Sequence, residues 1–482
     1  MAQKLSNKIM LITYADSLGR NLAELNEVLR DVVKDAVGGI HILPFFPSTA
    51  DRGFAVVTYD RISPEFGTWE DLDRISARYY LMADYMINHV SAHSPEYLDY
   101  LEKGDRSVYR NFFIRMEDFW PGGAPTEEDL AKMYVRKPGG PMCTAHFADG
   151  TEKKVWSTFS DEQIDLNLSD PEVQAMVRRN LRNLSGHGAA LIRLDAIGYA
   201  TKKPGTSCFC IEPDLWDLLG ECRENLKDTG TDILPEIHET YFTQLKVASR
   251  GYRTYDFALP LLVLQALYFG DATYLRNWMK ICPRDQFTTL DTHDGIGVMD
   301  AYHLMPDAEI QKTLDRVFAV SPVSRKISTK SSQTLFDAYQ VNCSYYSALG
   351  EDDQKYLCAR AIQFFTPGIP MVYYQGMLAG PNDLDFLQKT GQGRDINRHG
   401  YTVEEVRQEA ERPVVKKLLR LMEFRNSCPA FDGTFQVQDG SPDTLDCCWT
   451  NGNVRANLHA ELATGKFRIF TMDEDTQKDI TL

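Results

Sequence analysis

A chain of 482 residues is too long for one small core and fits one barrel-sized domain of roughly 250 residues with smaller modules attached. Hydrophobic residues make up 43% and charged residues 25%, the balance of a soluble globular protein. A formal net charge of −16, with no concentrated basic patch, argues against nucleic-acid and anionic-membrane partners and favours an enzyme acting on neutral or small substrates.

Eight short apolar runs follow in chain order, at 8–14, 38–44, 80–87, 189–196, 231–237, 252–259, 287–292 and 369–376. Each is nearly continuous in apolar residues, and helix-like stretches separate most of them. That pattern predicts parallel strands covered on both faces. Eight such strands over most of the chain predict an α/β fold, a closed (β/α)₈ TIM barrel more than an open sheet. Two intervals, 88–167 after the third strand and 293–349 after the seventh, are too long for simple connections and are expected to be inserted modules. Both leave from C-terminal strand ends, the face on which barrel enzymes build their sites. The barrel would then comprise 1–87, 168–292 and 350–429, and the tail 430–482, with turn signals at Asp439-Gly440 and Asn451-Gly452, a small β-domain.

The N-terminal apolar run from Ile9 to Ile12 is too short for a signal h-region, and no stretch approaches the ~18 apolar residues of a membrane span. The ten cysteines include no CxxC pair. The CxC of Cys208 and Cys210 and the adjacent Cys447 and Cys448 do not match zinc spacing. Most of the ten are expected to be buried reduced thiols of a cytoplasmic protein.

Acidic residues close four of the apolar runs: Asp84, Asp195, Glu236 and the pair Asp291 and Asp294. Buried carboxylates are costly unless paired or functional, and several on one barrel rim are hard to explain as packing. His89, His238, His293 and Arg193 lie close to the same ends. These groups suit glycosyl transfer, in which one carboxylate attacks the anomeric carbon and a second carboxyl group protonates the leaving oxygen. Retaining enzymes hold the two ~5–5.5 Å apart, and neighbouring strands lie ~4.8 Å apart. The ends of the fourth and fifth strands can therefore supply the pair. Arg193 precedes Asp195 by two residues and shares its side of the strand, where a cation would keep Asp195 ionised. Glu236 has to hold its proton until it donates.

Four segments, DYMINH (84–89), IRLDA (192–196), PEIH (235–238) and DTHDG (291–295), match in order the four signature regions of the α-amylase superfamily. LITYADSLG, GGIHILPFFPS, DRGFA, YQVNCSYYSALG, RAIQFFTPGIPMVYY and GRDINRH extend the likeness over nearly the whole chain, which resembles the sucrose phosphorylase family. The resemblance implies that Asp195 is the nucleophile, Glu236 the general acid/base and Asp294 the third carboxylate. It implies that Asp51, Phe54, His89, Phe159, Gln163, Arg193, His293 and Arg394 hold the glucosyl ring. Tyr134, Arg136, Tyr199, His238, Asp337, Tyr339 and Gln340 would form the acceptor and phosphate side. The implied reaction is a reversible, retaining phosphorolysis of sucrose to α-D-glucose 1-phosphate and fructose, with no cofactor and no metal. The partners would be small molecules (sucrose or sucrose phosphate, inorganic phosphate, glucose 1-phosphate), and the enzyme a monomer or homodimer.

The acceptor stays open. Asp337 with Tyr339-Gln340 resembles the fructose-accepting form. The segment GTSCF and Asn342-Cys343 resemble the branch that accepts fructose 6-phosphate, and Arg325, Lys326 and Lys330 lie on the same insert. Glycerol, glycerate, water or a sugar are further acceptors used in the superfamily. The plainer readings are a solvated loop charge for Arg136 and a surface ion pair for Arg394.

Overall fold

The computed structural model describes residues 3–328, 336, 338–474 and 476–482. All eight expected strands are present: β1 (Met10–Thr13), β2 (Gly39–Ile42), β3 (Tyr80–Met86), β4 (Ala189–Asp195), β5 (Asp232–Pro235), β6 (Thr254–Asp256), β7 (Gln286–Thr288) and β8 (Ile369–Tyr373). They form one sheet in the order β6-β7-β8-β1-β2-β3-β4-β5. An open doubly wound sheet reverses its order at a switch point. Here every strand lies beside its neighbours in sequence except β5 and β6, which stand at the two ends of the order, and β8 lies beside β1; this is the connectivity of a (β/α)₈ barrel.

The chain divides into two compact units, one holding 42–237 and the other 5–41 with most of 238–482. In the first, β3 and β4 are buried at every position, as strands covered on both faces must be. The helix Pro171–Gly186 leads into β4. Its start is set by Asp170, whose carboxylate accepts the Glu172 amide at 2.9 Å, and by Pro171 at the first helical position. Val173, Met176, Val177, Leu181 and Leu184 are buried at helical spacing and form its inner face. The register Asp84↔Arg193 and Met86↔Asp195 brings the acidic end of β3 beside that of β4. Between β3 and β4 the chain forms a hairpin of Met142–His146 with Glu152–Trp156. His89–Ser91 also pairs there with Gln163–Asp165.

In the second unit β1, β8, β7 and β6 are paired in parallel. The helix Asp353–Phe365 is tied to two of these strands by Gln363, whose Nε2 donates to the carbonyls of Thr288 and Met371 at 2.9 and 2.8 Å. Its Arg360 is fully buried and donates to Asp291 at 2.8 Å. Asp291, expected among the rim acids, is therefore locked in a buried ion pair; removing one partner of such a pair costs about 3–5 kcal/mol. The tail is a five-stranded antiparallel meander from Thr434–Val437 to Thr476–Asp479. Trp449 anchors it by donating to the Phe365 carbonyl at 2.8 Å.

Several strands end earlier than the apolar runs that mark them. β6 stops at Asp256, and the same run continues as the buried helix Leu259–Phe269. β8 stops at Tyr373 and a helical turn follows at Tyr374–Met377. Uninterrupted hydrophobicity marks burial, and a buried helix satisfies it as well as a strand. Among the described residues no helix is long and apolar enough to cross a membrane.

Candidate active site

In the 42–237 unit one cation gathers the acids. The Arg193 guanidinium donates through Nη1 to Asp84 and, at 2.9 Å, to Asp195 Oδ1, and through Nη2 to Glu236 Oε1 at 2.7 Å. Arg193 is 3% exposed, and Asp195 and Glu236 are each 9% exposed, so all three are drawn out of bulk water. The pairing Leu194↔Pro235 puts Asp195 and Glu236 at adjacent ends of β4 and β5. The second Glu236 oxygen accepts the Ala196 amide at 3.0 Å. Ala196 has φ 55°, a left-handed conformation unusual for a residue with a Cβ, and this turn aims its N–H at Glu236.

Phe54 lies under the same guanidinium, its ring centroid 5.8 Å from Arg193 Cζ. It follows three residues with positive φ, Asp51, Arg52 and Gly53. Gly53 is obligatory there, because a Cβ would meet the Pro44 carbonyl oxygen at 2.7 Å. The Phe54 carbonyl receives His89 Nε2 at 2.9 Å, and Gln163 Nε2 lies 3.4 Å from the same oxygen. Burial pushes the His89 imidazole below its ordinary value, against the opposing pull of Asp165, so the ring is neutral at neutral pH. Phe159 meets His89 edge-on at 5.5 Å and Tyr199 at 5.1 Å. Tyr199 in turn contacts Phe209, on which Tyr134 stacks at 4.7 Å. Arg136 is half-buried, 5.9 Å from the ring centres of both Phe159 and Tyr199. It is a cation over aromatic faces and not a solvated loop charge.

Sequence reasoning missed what stands behind His89. Lys202, with a side chain 2% exposed, pairs with the fully buried Asp165 at 2.9 Å. Its ammonium also donates to Asn88 Oδ1 at 2.9 Å and to the Tyr199 carbonyl at 2.6 Å. One internal cation thus joins the end of β3, the Gln163–Asp165 strand and the turn after β4. In the segment ATKKPG nothing separates this lysine from an ordinary surface one.

In the second unit, Arg394 Nη1 lies 3.0 Å from Asp294 Oδ1, and His293 Nε2 lies 3.5 Å from Asp294 Oδ2. Arg394 is therefore tied to the expected third carboxylate and not to a surface acid. Arg398 donates twice to the His293 carbonyl, at 3.2 and 3.0 Å, and Asn397 donates to that of Thr292 at 3.2 Å. The segment GRDINR is thereby stitched to DTHD. Gly295 follows at φ 109°, where a Cβ would meet the Val341 carbonyl oxygen at 2.5 Å. That close approach lets Ile296–Gly297 pair with Gln340–Val341 and brings Gln340 and Tyr339 to His238. The Tyr339 hydroxyl reaches the His238 carbonyl at 3.4 Å, and Gln340 Nε2 lies 3.5 Å from His238 Nε2. Asp337 and Lys330 lie outside the described residues. Arg325 pairs with Asp315 at 2.9 Å on an exposed helix face.

Residues 15–253 match the family described as "Alpha amylase, catalytic domain". Sucrose phosphorylase of Streptococcus mutans serotype c is 49% identical over 442 residues, covering 91% of this chain and 92% of that protein. Glucosylglycerol phosphorylase of Marinobacter adhaerens is 40% identical over 474 residues, covering 98% of each. The crystal structure of sucrose 6F-phosphate phosphorylase from Thermoanaerobacter thermosaccharolyticum superposes with a TM-score of 0.95 at 40% identity, covering 100% of this chain and 98% of that one. The chain belongs to the α-amylase superfamily, and within it to the family of sucrose phosphorylases and related glucoside phosphorylases.

Proposed function

We propose that the chain is a retaining α-glucoside phosphorylase that transfers a glucosyl unit between sucrose and phosphate. The observation that carries the reading is the single guanidinium of Arg193, which holds Asp195 and Glu236 together at neighbouring strand ends. The Asp195 carboxylate attacks the anomeric carbon while the bond from that carbon to the fructosyl oxygen breaks. Glu236 gives its proton to the departing oxygen. Three carboxylates around one guanidinium leave an excess of negative charge, the condition under which one carboxyl keeps a proton. A phosphate oxygen then attacks the β-glucosyl–Asp195 from the opposite face, and Glu236 receives a proton back. Two inversions give α-D-glucose 1-phosphate with the original configuration.

Asp294, steadied by Arg394, is the third carboxylate and meets the glucose hydroxyls with His293. Asp51, Phe54, His89, Phe159 and Gln163 are assigned to the glucosyl ring as well. Tyr134, Arg136, Tyr199, His238, Tyr339 and Gln340 are assigned to the acceptor, as is Asp337, which lies outside the described residues. In this reading 88–167 and 293–349 are the modules that carry acceptor choice. Ten thiols and a phosphate-ester product suit an enzyme of the cytoplasm.

The deciding experiment is an acceptor screen with glucose 1-phosphate as donor, following phosphate release with fructose, fructose 6-phosphate, glycerol and glycerate. Fructose is the expected best acceptor. A clear preference for fructose 6-phosphate would overturn that choice in favour of a sucrose 6'-phosphate phosphorylase, the activity named for the 40%-identical structural relative. A rate of sucrose cleavage that does not change when phosphate is withheld would overturn the phosphorylase assignment itself.

A further inference from the structure

His238 stacks on Phe257, with ring centroids 4.1 Å apart and planes 20° from parallel. Its two ring nitrogens face different side chains. Nδ1 lies 3.5 Å from Asp300 Oδ2, and Nε2 lies 3.5 Å from the Gln340 amide nitrogen. Asp300 is 2% exposed, and its second oxygen, Oδ1, has no hydrogen-bond partner among the described residues. Gln340 Oε1 is buried and equally without one. The wall behind Asp300 is closed, since a Cβ on Gly297 would come within 2.9 Å of Asp300 Oδ2. The neighbouring Asp256 brings no positive charge; the proximity of Asp300 helps to raise its carboxyl.

A buried carboxylate with one oxygen unfilled is expensive unless it faces a cation or a charge-assisted donor. The donor set against its other oxygen, Oδ2, is the Nδ1–H of His238 at 3.5 Å. Once Nδ1 carries the hydrogen, Nε2 has two states. In the neutral ring it is an acceptor, which suits the Gln340 amide. In the imidazolium it is a charged donor, which suits an oxyanion, and Gln340 can then turn to offer its unfilled Oε1. An aspartate behind a histidine stabilises the second state.

We propose that Asp300 is a positioning residue for the acceptor step. It fixes Nδ1 as the protonated nitrogen of His238 and holds positive charge on that ring when an oxyanion, the incoming phosphate, lies at Nε2. The inference rests on the phosphorylase reading above for the identity of the oxyanion. It does not rest on it for the pairing of Asp300 with His238.

Two measurements test it. The first is the side-chain ¹⁵N spectrum of the wild-type protein, with the His238 signals assigned by their loss in His238→Gln. Protonated Nδ1 is expected, as the neutral tautomer or the imidazolium; a neutral ring protonated at Nε2 would overturn the proposal. This arm decides even if Asp300→Asn fails to fold. The second is a cycle of Asp300→Asn, His238→Gln and the double variant. Asp300→Asn is expected to raise KM for phosphate about tenfold while slowing glucosyl–enzyme formation, read as fluoride release from α-D-glucosyl fluoride, by less than about threefold. The double variant is expected to be no worse than His238→Gln alone. Additive losses, or equal losses in both steps, would overturn the proposal in favour of a purely structural carboxylate. A wild-type chain that releases no phosphate from glucose 1-phosphate with any acceptor would overturn the phosphorylase reading, and the phosphate role with it. The tautomer would still decide the pairing.

Discussion

Glu236 is held by two donors of different kinds, the Arg193 guanidinium at one oxygen and the Ala196 amide at the other. The amide comes from the residue after Asp195, so Asp195 and Glu236 are fixed relative to each other through one strained turn. A glutamine at 236 keeps the size of the side chain and an oxygen for one of these donors, but it has no proton to give. We expect Glu236→Gln to slow sucrose cleavage by on the order of 10³-fold, because the fructosyl oxygen then leaves unprotonated. With α-D-glucosyl fluoride, whose leaving group needs little protonation, the loss should fall to about tenfold. Equal losses with both donors, measured as initial rates, would remove Glu236 from the acid role. Asp195 and Glu236 were legible in the sequence because a charge closing an apolar run is conspicuous. Asp300 and Lys202 were not. They sit in the unremarkable stretches MDAY and ATKK, and what buries them comes from segments far away in the chain.

At the level of elements, β6 carries the least expected charge. Asp256 is 1% exposed, and burial raises its carboxyl from the ordinary 3.8 to about 7, against hydrogen bonds from Trp278, the Leu259 amide and Gln286. The folded chain therefore keeps a proton that the unfolded chain releases near its ordinary value. This stabilising contribution is full below pH about 4 and is lost as pH rises through about 7. Its size is up to about 4 kcal/mol, at 1.36 kcal/mol for each pH unit of displacement. The wild-type melting temperature should fall more between pH 5 and pH 8 than that of Asp256→Asn. Parallel pH curves for the two proteins would show that this carboxyl is not the titrating group. The Asp256 carboxyl also accepts the Leu259 amide at 3.0 Å, at the first residue of the helix Leu259–Phe269, whose second residue is Pro260. An apolar run records that a segment is buried on all sides, and the change from period two to period 3.6 is invisible when every position is apolar. β3 and β4 were legible because polar or glycine-rich segments bound them, whereas β6 and β8 run straight into buried helices.

Across the whole molecule ten cysteines remain thiols, and eight of them are buried. Burial pushes the Cys222 and Cys358 thiols up to about 12, and Cys282 and Cys447 are raised as well. Alkylating reagents attack the thiolate, so at pH 8 these sulfurs are silent while the fold is closed. They lie in the helices Asp214–Leu226 and Asp353–Phe365, beside β7 and in the C-terminal sheet. The protein thus carries its own set of local clocks, each started only when the region around it opens. Timed alkylation read by peptide mass spectrometry should modify Cys210 and Cys428, the two half-buried thiols, first, and Cys222 and Cys358 last. Uniform labelling of all ten would mean that the molecule opens as one cooperative unit. A graded order would rank the barrel helices against the C-terminal sheet on a single scale of opening free energy, without any substitution in the chain.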